Sequence, residues 1–553
     1  MVLHLLLAPL ALFTVYRLCK LSKNYAAARK YRLPIIILPC SFEDAWWILL
    51  RPYFAWVQGL PWGFGDWYVY TEMGWPQVDT NKTSLRLGDN FVLCAPTANQ
   101  IVTSYRPAID TVFRDHKNWP QTDSQTQMFM VYGQNVASTN GVDWQRHRKI
   151  TSTAFNENTM VQVWEEAIKR TAELDLSVES ERSLGRLRSS IEVLAMRVLA
   201  QVAFGEKRAL NSIPPGHRQS LMQCLGFIQK HIVLTILFSG LKAPDFLLPK
   251  KLRKLKVSVA EFRQYMEESL KRHLETTSKG STTTKSKSLL ESMVRANEAE
   301  KQLVEGGPGR VSYLSDSDLY GNLFVFNLAG YETTASTLTF ALPFLATNPN
   351  VQEWVYEELK THYINSSSRE YATVYSKLVR CLSVMYEALR LASPAPLLVR
   401  SPRSPMELPI ITKTGPGSIT VNPGTLVGGH FYAGHLSPDW GSDAESFNPR
   451  RFILKSESGE ESLAVPEGRL FAPWIFGQRV CPGKKFSQVE FTAIVAQIFA
   501  NYRVKVIQNT NESAEEANQR MMGILSDKYF NISTHLKQPE AGALRFERRD
   551  EKS

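Results

Sequence analysis

The chain has 553 residues, 44 % of them apolar and 21 % charged, and its 64 Lys and Arg against 53 Asp and Glu leave a net charge of +11. That apolar fraction excludes a disordered chain, and a mean hydropathy of −0.21 without a series of long apolar runs excludes a polytopic membrane protein. Six scattered cysteines with no C-x-x-C exclude a disulfide scaffold, while the basic excess leaves nucleic acid, an anionic membrane or an acidic protein open as partners.

A length prior of ~150 residues per domain predicts three or four domains. Residues 2–16 are apolar except for His4, Pro9 and Thr14, and Arg17, Lys20, Lys23, Arg29, Lys30 and Arg32 follow with no acid before Glu43. At ~1.5 Å per residue this run falls short of a ~30 Å hydrocarbon core. Adding Leu18, Cys19 and Leu21, with basic side chains reaching back to the interface, brings residues 1–21 close to one span. The charge follows the apolar run, whereas a cleaved signal peptide carries it in front. A retained signal anchor with the rest of the chain in the cytosol is therefore predicted. Residues 22–75 form a basic linker and a Trp-rich stretch, 45–70, broken by Pro52, Gly59, Pro61, Gly63 and Gly65. Trp46, Trp47, Trp56, Trp62 and Trp67 suit equally a segment dipping into the bilayer surface and an ordinary aromatic core.

Residues 85–105 alternate apolar and polar and predict strands. From about 107 to 395 the period is mostly helical, with surface loops predicted at 276–288 and 306–309. Residues 396–430, rich in Pro, Gly, Val and Thr, predict short strands and hairpins. A last helix is predicted over 484–501, and the charged tail from Lys537 reads as disordered. The fold class is mainly α with a smaller β portion.

The chemistry centres on Gly477-Gln-Arg479-Val-Cys481-Pro-Gly483, just before that last helix. Two glycines flank a lone cysteine, on a loop whose backbone can approach something flat. A helix N-terminus favours the anionic thiol. A thiolate there is a suitable axial ligand for haem iron, and Arg479 can pair with a haem propionate. Upstream, Ala329-Gly330-Tyr331-Glu332-Thr333-Thr334 interrupts an apolar helical run. A mid-helix glycine costs ~1 kcal/mol relative to alanine, and threonine hydroxyls can capture a carbonyl one turn back. Glu387 and Arg390 share a helix face at i, i+3. So do Trp144 and Arg148 at i, i+4.

Together these motifs resemble the cytochrome P450 family, in family order from Trp144 to Cys481, with Trp474 where the cysteine loop usually carries Phe. The resemblance covers roughly residues 40–535 and implies the cytochrome P450 fold as one haem catalytic domain, 76–536, behind a single-pass membrane anchor, with 537–553 as a tail. It implies haem b, iron protoporphyrin IX, ligated by Cys481. Gly477 and Gly483 would lie against the cofactor, and Trp144, Arg148, Arg400 and Arg479 would contact its propionates. Ala329 and Gly330 would form the dioxygen groove, with Glu332 and Thr333 feeding protons. Glu387, Arg390 and Arg451, the last in Phe447-Asn-Pro449-Arg-Arg451-Phe452, would hold the core behind the cysteine loop. His435 is a further candidate beside Arg400, with a solvated or hydrogen-bonded surface histidine as the alternative. Phe326, Pro396, Leu397, Leu398 and the loop near 120–136 are the expected substrate contacts.

The implied activity is insertion of one atom of dioxygen into a hydrophobic small molecule, as hydroxylation, epoxidation or multi-step oxidation. The finer resemblance is to fungal microsomal members of secondary-metabolite pathways. Electrons would come from NADPH through a separate reductase, with cytochrome b5 as a further partner. Arg146, Lys149, Lys484 and Lys485 would face the electron donor. The expected site is the endoplasmic reticulum membrane with the catalytic domain cytosolic. Asn81, Asn365, Asn511 and Asn531 head sequons that such a topology leaves unused. Nucleic acid drops out as a partner. The rivals are a rearranging member that needs no reductase or dioxygen, a membrane-tethered haem-binding protein, and a hydrolase using Cys481 as nucleophile. Retention of Glu332 and Thr333 argues against the first, and a haem carrier would need no groove or proton-delivery pair.

Overall fold

The structure, a computed structural model, describes residues 2–549 apart from 73, 175, 177–181, 206–211, 239–242, 279–287, 306–311, 396 and 413. Of the loop expected at 276–288, residues 276–278 end a helix and 279–287 lie outside the described residues, as do the expected loop at 306–309 and the expected contact Pro396. The apolar N-terminal run and part of its basic sequel form one helix, α1 (Val2–Ala28). It extends beyond residue 21 because Leu21, Ala28 and the following Tyr31 pack into the catalytic body. Arg17 bonds Asp44 at 2.6 Å, and Asn24 donates to the Ala95 carbonyl at 2.8 Å. Among the described residues no single helix is long and apolar enough to cross a membrane.

A five-stranded sheet follows. Its strands are β1 (Ile35–Ile37), β2 (Asn90–Cys94), β3 (Asn99–Thr103), β4 (Leu397–Arg400) and, after the hairpin β5 (Met406–Thr412) and β6 (Gly415–Val421), β7 (Leu426–His430). Their order is β1-β2-β3-β7-β4, with β1–β2 and β3–β7 parallel. Residues 82–87 are helical, so the expected strands are confined to β2 and β3. The Trp-rich stretch divides: Trp47 is buried, while Trp56 and Trp62 face outward.

The helical body comprises α2 (Arg106–Arg114), α3 (Gly141–Ser152), α4 (Glu157–Ala172), α5 (Leu184–Phe204), α6 (Leu221–Lys230), α7 (Lys250–Ser278), α8 (Asp316–Ala346), α9 (Pro349–Leu359), α10 (Val379–Leu391), α11 (Lys484–Asn501) and α12 (Ala514–Ser526). Its axis is α8, 31 residues and about 46 Å long. Apolar residues on all sides of α8 require a buried position. A capping box starts it: Ser315 Oγ accepts from Asp318 N, and the Asp318 carboxylate accepts from Ser315 N. Thr347 and Asn348 end it, and Pro349 starts α9. One main hydrophobic cluster draws on residues from Tyr132 to Phe546, so the motifs share a core and the three-or-four-domain prior fails.

Beyond α11 the chain does not fray. β8 (Tyr502–Val506) follows α11 directly, and after α12 come β9 (Lys528–Asn531), β10 (Ser533–Leu536) and β11 (Ala543–Arg548). β11 pairs antiparallel with β8 and with Arg182–Ser183. The disordered tail expected from Lys537 is thus corrected as far as Arg549: alternating Leu544 and Phe546 are buried while charged neighbours face out. The structure is 60 % helix and 12 % strand, mainly α with a smaller β portion.

Candidate active site

Three groups of residues make up the candidate site. The first is the loop before α11, where Cys481 N donates to the Trp474 carbonyl at 3.1 Å. Gly477 has φ +73°, and a Cβ there would come within 3.1 Å of Arg114 Cα, so glycine is required by both conformation and space. Cys481 has open surface although protein surrounds it: burial pushes its thiol up, against the pull of the Gly483 N–H and of Arg148. Burial thus opposes ionisation of the free thiol, and a bound metal ion would favour release of its proton.

The second is the lower face of α8. Ala329 is exposed and Gly330 and Thr333 are partly so, although Leu328, Tyr331 and Glu332 beside them are buried. Open surface on one face of a buried helix, facing no solvent-side polar pattern, marks an internal void. The Thr333 hydroxyl donates to the Ala329 carbonyl at 3.0 Å. Gly330 has a second reason to be glycine: a Cβ would meet Leu199 Cδ2 of α5 at 3.0 Å.

The third is a pair of guanidiniums. Arg479 donates to Gln121 Oε1 at 2.7 Å, the Thr139 carbonyl at 2.6 Å and Asn140 Oδ1 at 3.1 Å, and lies over the Trp144 ring. Arg400 is buried, donates to the Val399 carbonyl at 2.9 Å and lies over Phe113. Neither has a carboxylate partner among the described residues. Burial lowers Arg479 to about 10, and burial followed by the charge of Arg479 lowers Arg400 to about 9. A buried cation beside a half-buried one, with no carboxylate partner among the described residues, calls for an anionic ligand. An exposed thiol, a close-approach glycine loop and this cation pair fit haem, whose two propionates would supply the missing charge.

Trp144 lies under the Arg479 guanidinium, and its ring centre is 4.8 Å from that of His116. Arg148 is placed toward Cys481, to which it is electrostatically coupled. Phe326 packs edge-on to Phe155, and Leu398 lies on β4. Leu397 also lies on β4.

Glu332 departs from expectation. It does not share the open face with Thr333 but points to the adjoining one, accepting from Arg188 at 2.5 Å, Gln229 at 2.6 Å and Ser533 at 2.7 Å, with His535 at 3.2 Å. Burial works to raise its pKa; His535, Arg188 and Ser533 outweigh that and hold it at about 2. It is a clamped carboxylate at neutral pH and holds a proton only transiently. The reason is helical: successive residues are ~100° apart around the axis. Arg188, Gln229, Ser533 and His535 had no signal in the sequence, being brought in by α5, α6 and the β9–β10 hairpin. Gln121 and Asn140, which hold Arg479, were likewise illegible beyond the flagged 120–136 loop.

Behind the loop, Glu387 and Arg390 are fully buried and bidentate, at 2.7 and 2.8 Å. Arg451 reaches Glu387 at 3.1 Å. Arg390 also donates to the carbonyls of His435, Ala444 and Ser446. His435 is no solvated loop residue: it is buried, Nε2 accepts from Ala472 N at 3.1 Å, and burial and then Arg390 push its pKa to about 3. Of the four expected donor-facing cations, Arg146 pairs with Asp143 and Asp318 and Lys149 with Glu300, leaving Lys484 and the exposed Lys485. Asn81 is buried and donates to the Leu436 carbonyl, which removes it as a glycan acceptor.

The family model described as Cytochrome P450 matches residues 62–531. The chain is 26 % identical over 440 residues to cytochrome P450 monooxygenase 124 of Postia placenta, covering 78 % of this chain and 81 % of that protein. It is 25 % identical over 529 residues to cytochrome P450 monooxygenase ORF6 of Penicillium roqueforti, covering 90 % of each. The phomenoic acid biosynthesis cluster cytochrome P450 monooxygenase of Leptosphaeria maculans is 25 % identical over 559 residues, covering 92 % and 93 %.

Proposed function

We propose, because the chain belongs to the cytochrome P450 family and is a haem-thiolate monooxygenase, that it oxidises a hydrophobic secondary-metabolite scaffold at the endoplasmic reticulum membrane with electrons from NADPH through a separate reductase. The observation that carries the cofactor assignment is the Arg400–Arg479 pair, without a carboxylate partner among the described residues, with the exposed Cys481 two residues beyond Arg479. Haem supplies the reductive activation of dioxygen, one atom going to substrate and the other to water. Cys481 would hold the iron, and Arg400 and Arg479 the propionates. Thr333 offers its hydroxyl on the open face, and Glu332, anchored on the next face, holds a negative charge near the path by which protons come. The apolar, partly buried Phe326 and Leu398 suit a hydrophobic substrate. The secondary-metabolite role is supported by the printed name of the Leptosphaeria relative.

The membrane seat is supported by the outward apolar side chains of α1 and of the Trp-rich segment, with Leu12 71 % and Trp62 90 % exposed. The protein is expected in the microsomal fraction, and the combined Leu12→Glu and Trp62→Glu variant is expected to shift into the soluble fraction. A parent protein that is soluble throughout would reject the seat.

The activity is tested by feeding pathway intermediates to microsomes with a reductase under isotopic dioxygen. One labelled oxygen atom per turnover is expected in the product, and label arriving from water instead would sink the reading. Proton delivery by a positioned group contributes ~10²–10⁴-fold. Thr333→Ala is therefore expected to lower product formed per NADPH consumed at least about tenfold, and unchanged coupling would remove Thr333 from proton delivery.

A further inference from the structure

The loop before α6 is stitched to α7 at three consecutive residues. Pro214, Pro215 and Gly216, the last at φ +88°, make a turn in which the His217 N–H donates to the Pro214 carbonyl at 3.1 Å. The His217 side chain, 1 % exposed, lies flat on the Tyr265 ring, with 3.9 Å between ring centres and 16° between planes. Its Nδ1 is 3.1 Å from a Glu261 carboxylate oxygen, and its Nε2 is 3.3 Å from one of Glu268. Arg218 N donates to the same Glu261 oxygen at 3.0 Å. The Gln219 carbonyl accepts from Tyr265 Oη, and its side-chain oxygen accepts from Ser258 Oγ, both at 2.9 Å. From α6, Cys224 faces Glu261, but burial pushes its thiol up to about 12, so it brings no charge. Arg272, one turn after Glu268, donates to the Glu268 backbone carbonyl at 3.3 Å.

Carboxylates only accept hydrogen bonds, and a neutral imidazole has a single N–H. Two carboxylates, one at each ring nitrogen, are both satisfied only when the ring carries both protons. The Tyr265 face favours the same state, because an aromatic ring attracts a cation placed over it.

We propose that His217 is a proton-operated clasp: as the imidazolium it fastens the loop over residues 212–219 to α7, and on giving one proton to water it drops Glu268 and loosens the loop. Glu268 is the partner released, because its side chain is 47 % exposed, whereas Glu261 is buried, nearer and also held by Arg218 N. The clasp bears on α6, which starts at the end of this loop with a capping box on Ser220 and reaches Glu332 through Gln229 at 2.6 Å. That helix is therefore held at both ends. The hold at its start rests on an imidazole, the side chain whose charge ordinarily changes near neutral pH. Burial works to raise the Glu268 carboxyl, but Gln264, His217 and Arg272 outweigh it and hold the group below the usual carboxylate range. The Glu268 charge is thus lost only as pH falls through that lowered value, below pH 6, whereas the ring's second proton is lost as pH rises.

The clasp lies apart from the cysteine site, so its test needs no turnover. Amide hydrogen exchange is measured on the full-length protein at pH 6 and pH 9, each rate divided by the intrinsic rate at that pH. Protection of residues 213–220 is expected to fall about fivefold from pH 6 to pH 9 in the parent, through loss of one charge-assisted bond. In His217→Gln it is expected to be low and equal at the two pH values. In Glu268→Gln it is expected to be high and equal, because a side-chain amide accepts from Nε2 when that nitrogen is protonated and donates to it when it is not. Exchange of the His217 Cε1 hydrogen, read on the same samples, follows the ring's charge and is expected to change over the same pH interval as the loop. Equal protection at the two pH values in the parent, the parental fall persisting in Glu268→Gln, or a loop change where the ring's exchange is flat overturns the clasp. The monooxygenase reading fails separately, by absence of the carbon monoxide band from the parent protein.

Discussion

Cys481→Ala abolishes the red-shifted Soret band expected when the reduced parent protein takes up carbon monoxide, and with it all turnover. Alanine offers no ligand, and no other cysteine can substitute. Cys40, Cys94, Cys224 and Cys381 are buried in packing positions, and Cys19 lies on α1. The anion site formed by Arg400 and Arg479 survives the change, so haem binds weakly rather than not at all. Difference spectroscopy on protein supplemented with haem is the measurement. A band unchanged in Cys481→Ala would reject the ligand assignment and return the nucleophile reading of this cysteine.

Glu387→Ala is expected to cost about 3–5 kcal/mol, because it leaves Arg390 as an uncompensated charge in a fully buried site. Domains of ordinary stability have only ~5–15 kcal/mol in total. Little soluble, haem-loaded protein should therefore be recovered, and what is recovered should melt far below the parent. The same network contains its own control. Asp443, partly exposed, holds the outer side of Arg451 at 2.9 Å. Asp443→Asn keeps a hydrogen-bonding side chain there and should cost no more than about 1 kcal/mol, as exposed pairs do. Equal melting losses in the two variants would contradict a buried keystone at Glu387. The effect is structural: the triad lies behind the cysteine loop, touches three backbone carbonyls through Arg390, and reaches no substrate.

What was legible in the residues was local chemistry. Gly477, Arg479, Cys481 and Gly483 lie within one short loop, where spacing determines which groups are presented together. Glu387 and Arg390 pair because helix geometry places i and i+3 on one face. The helix over 484–501 was legible to the residue, since Gly483 precedes it and Tyr502 opens a strand. Legibility failed where distant segments met. The tail beyond Lys537 has the charge of a solvated end, yet Leu544 and Phe546 alternate inward as soon as β8 offers an edge. Glu332 and Thr333 are neighbours in sequence but not in direction. Arg146 and Lys149 read as free cations until α8 and the helix Leu289–Glu305 bring up Asp318 and Glu300.

The sequence by itself determined the family, and through it the haem-thiolate cofactor and the class of reaction, because the resemblance is carried by side-chain types at fixed short spacings. Only the tertiary structure decided what each charge near the site does. It clamped Glu332 with Arg188 and His535 and left Arg400 and Arg479 without a carboxylate partner among the described residues. The physical reason is that ionisation depends on burial and on partners within a few ångströms, and those partners come from elements far apart in the chain.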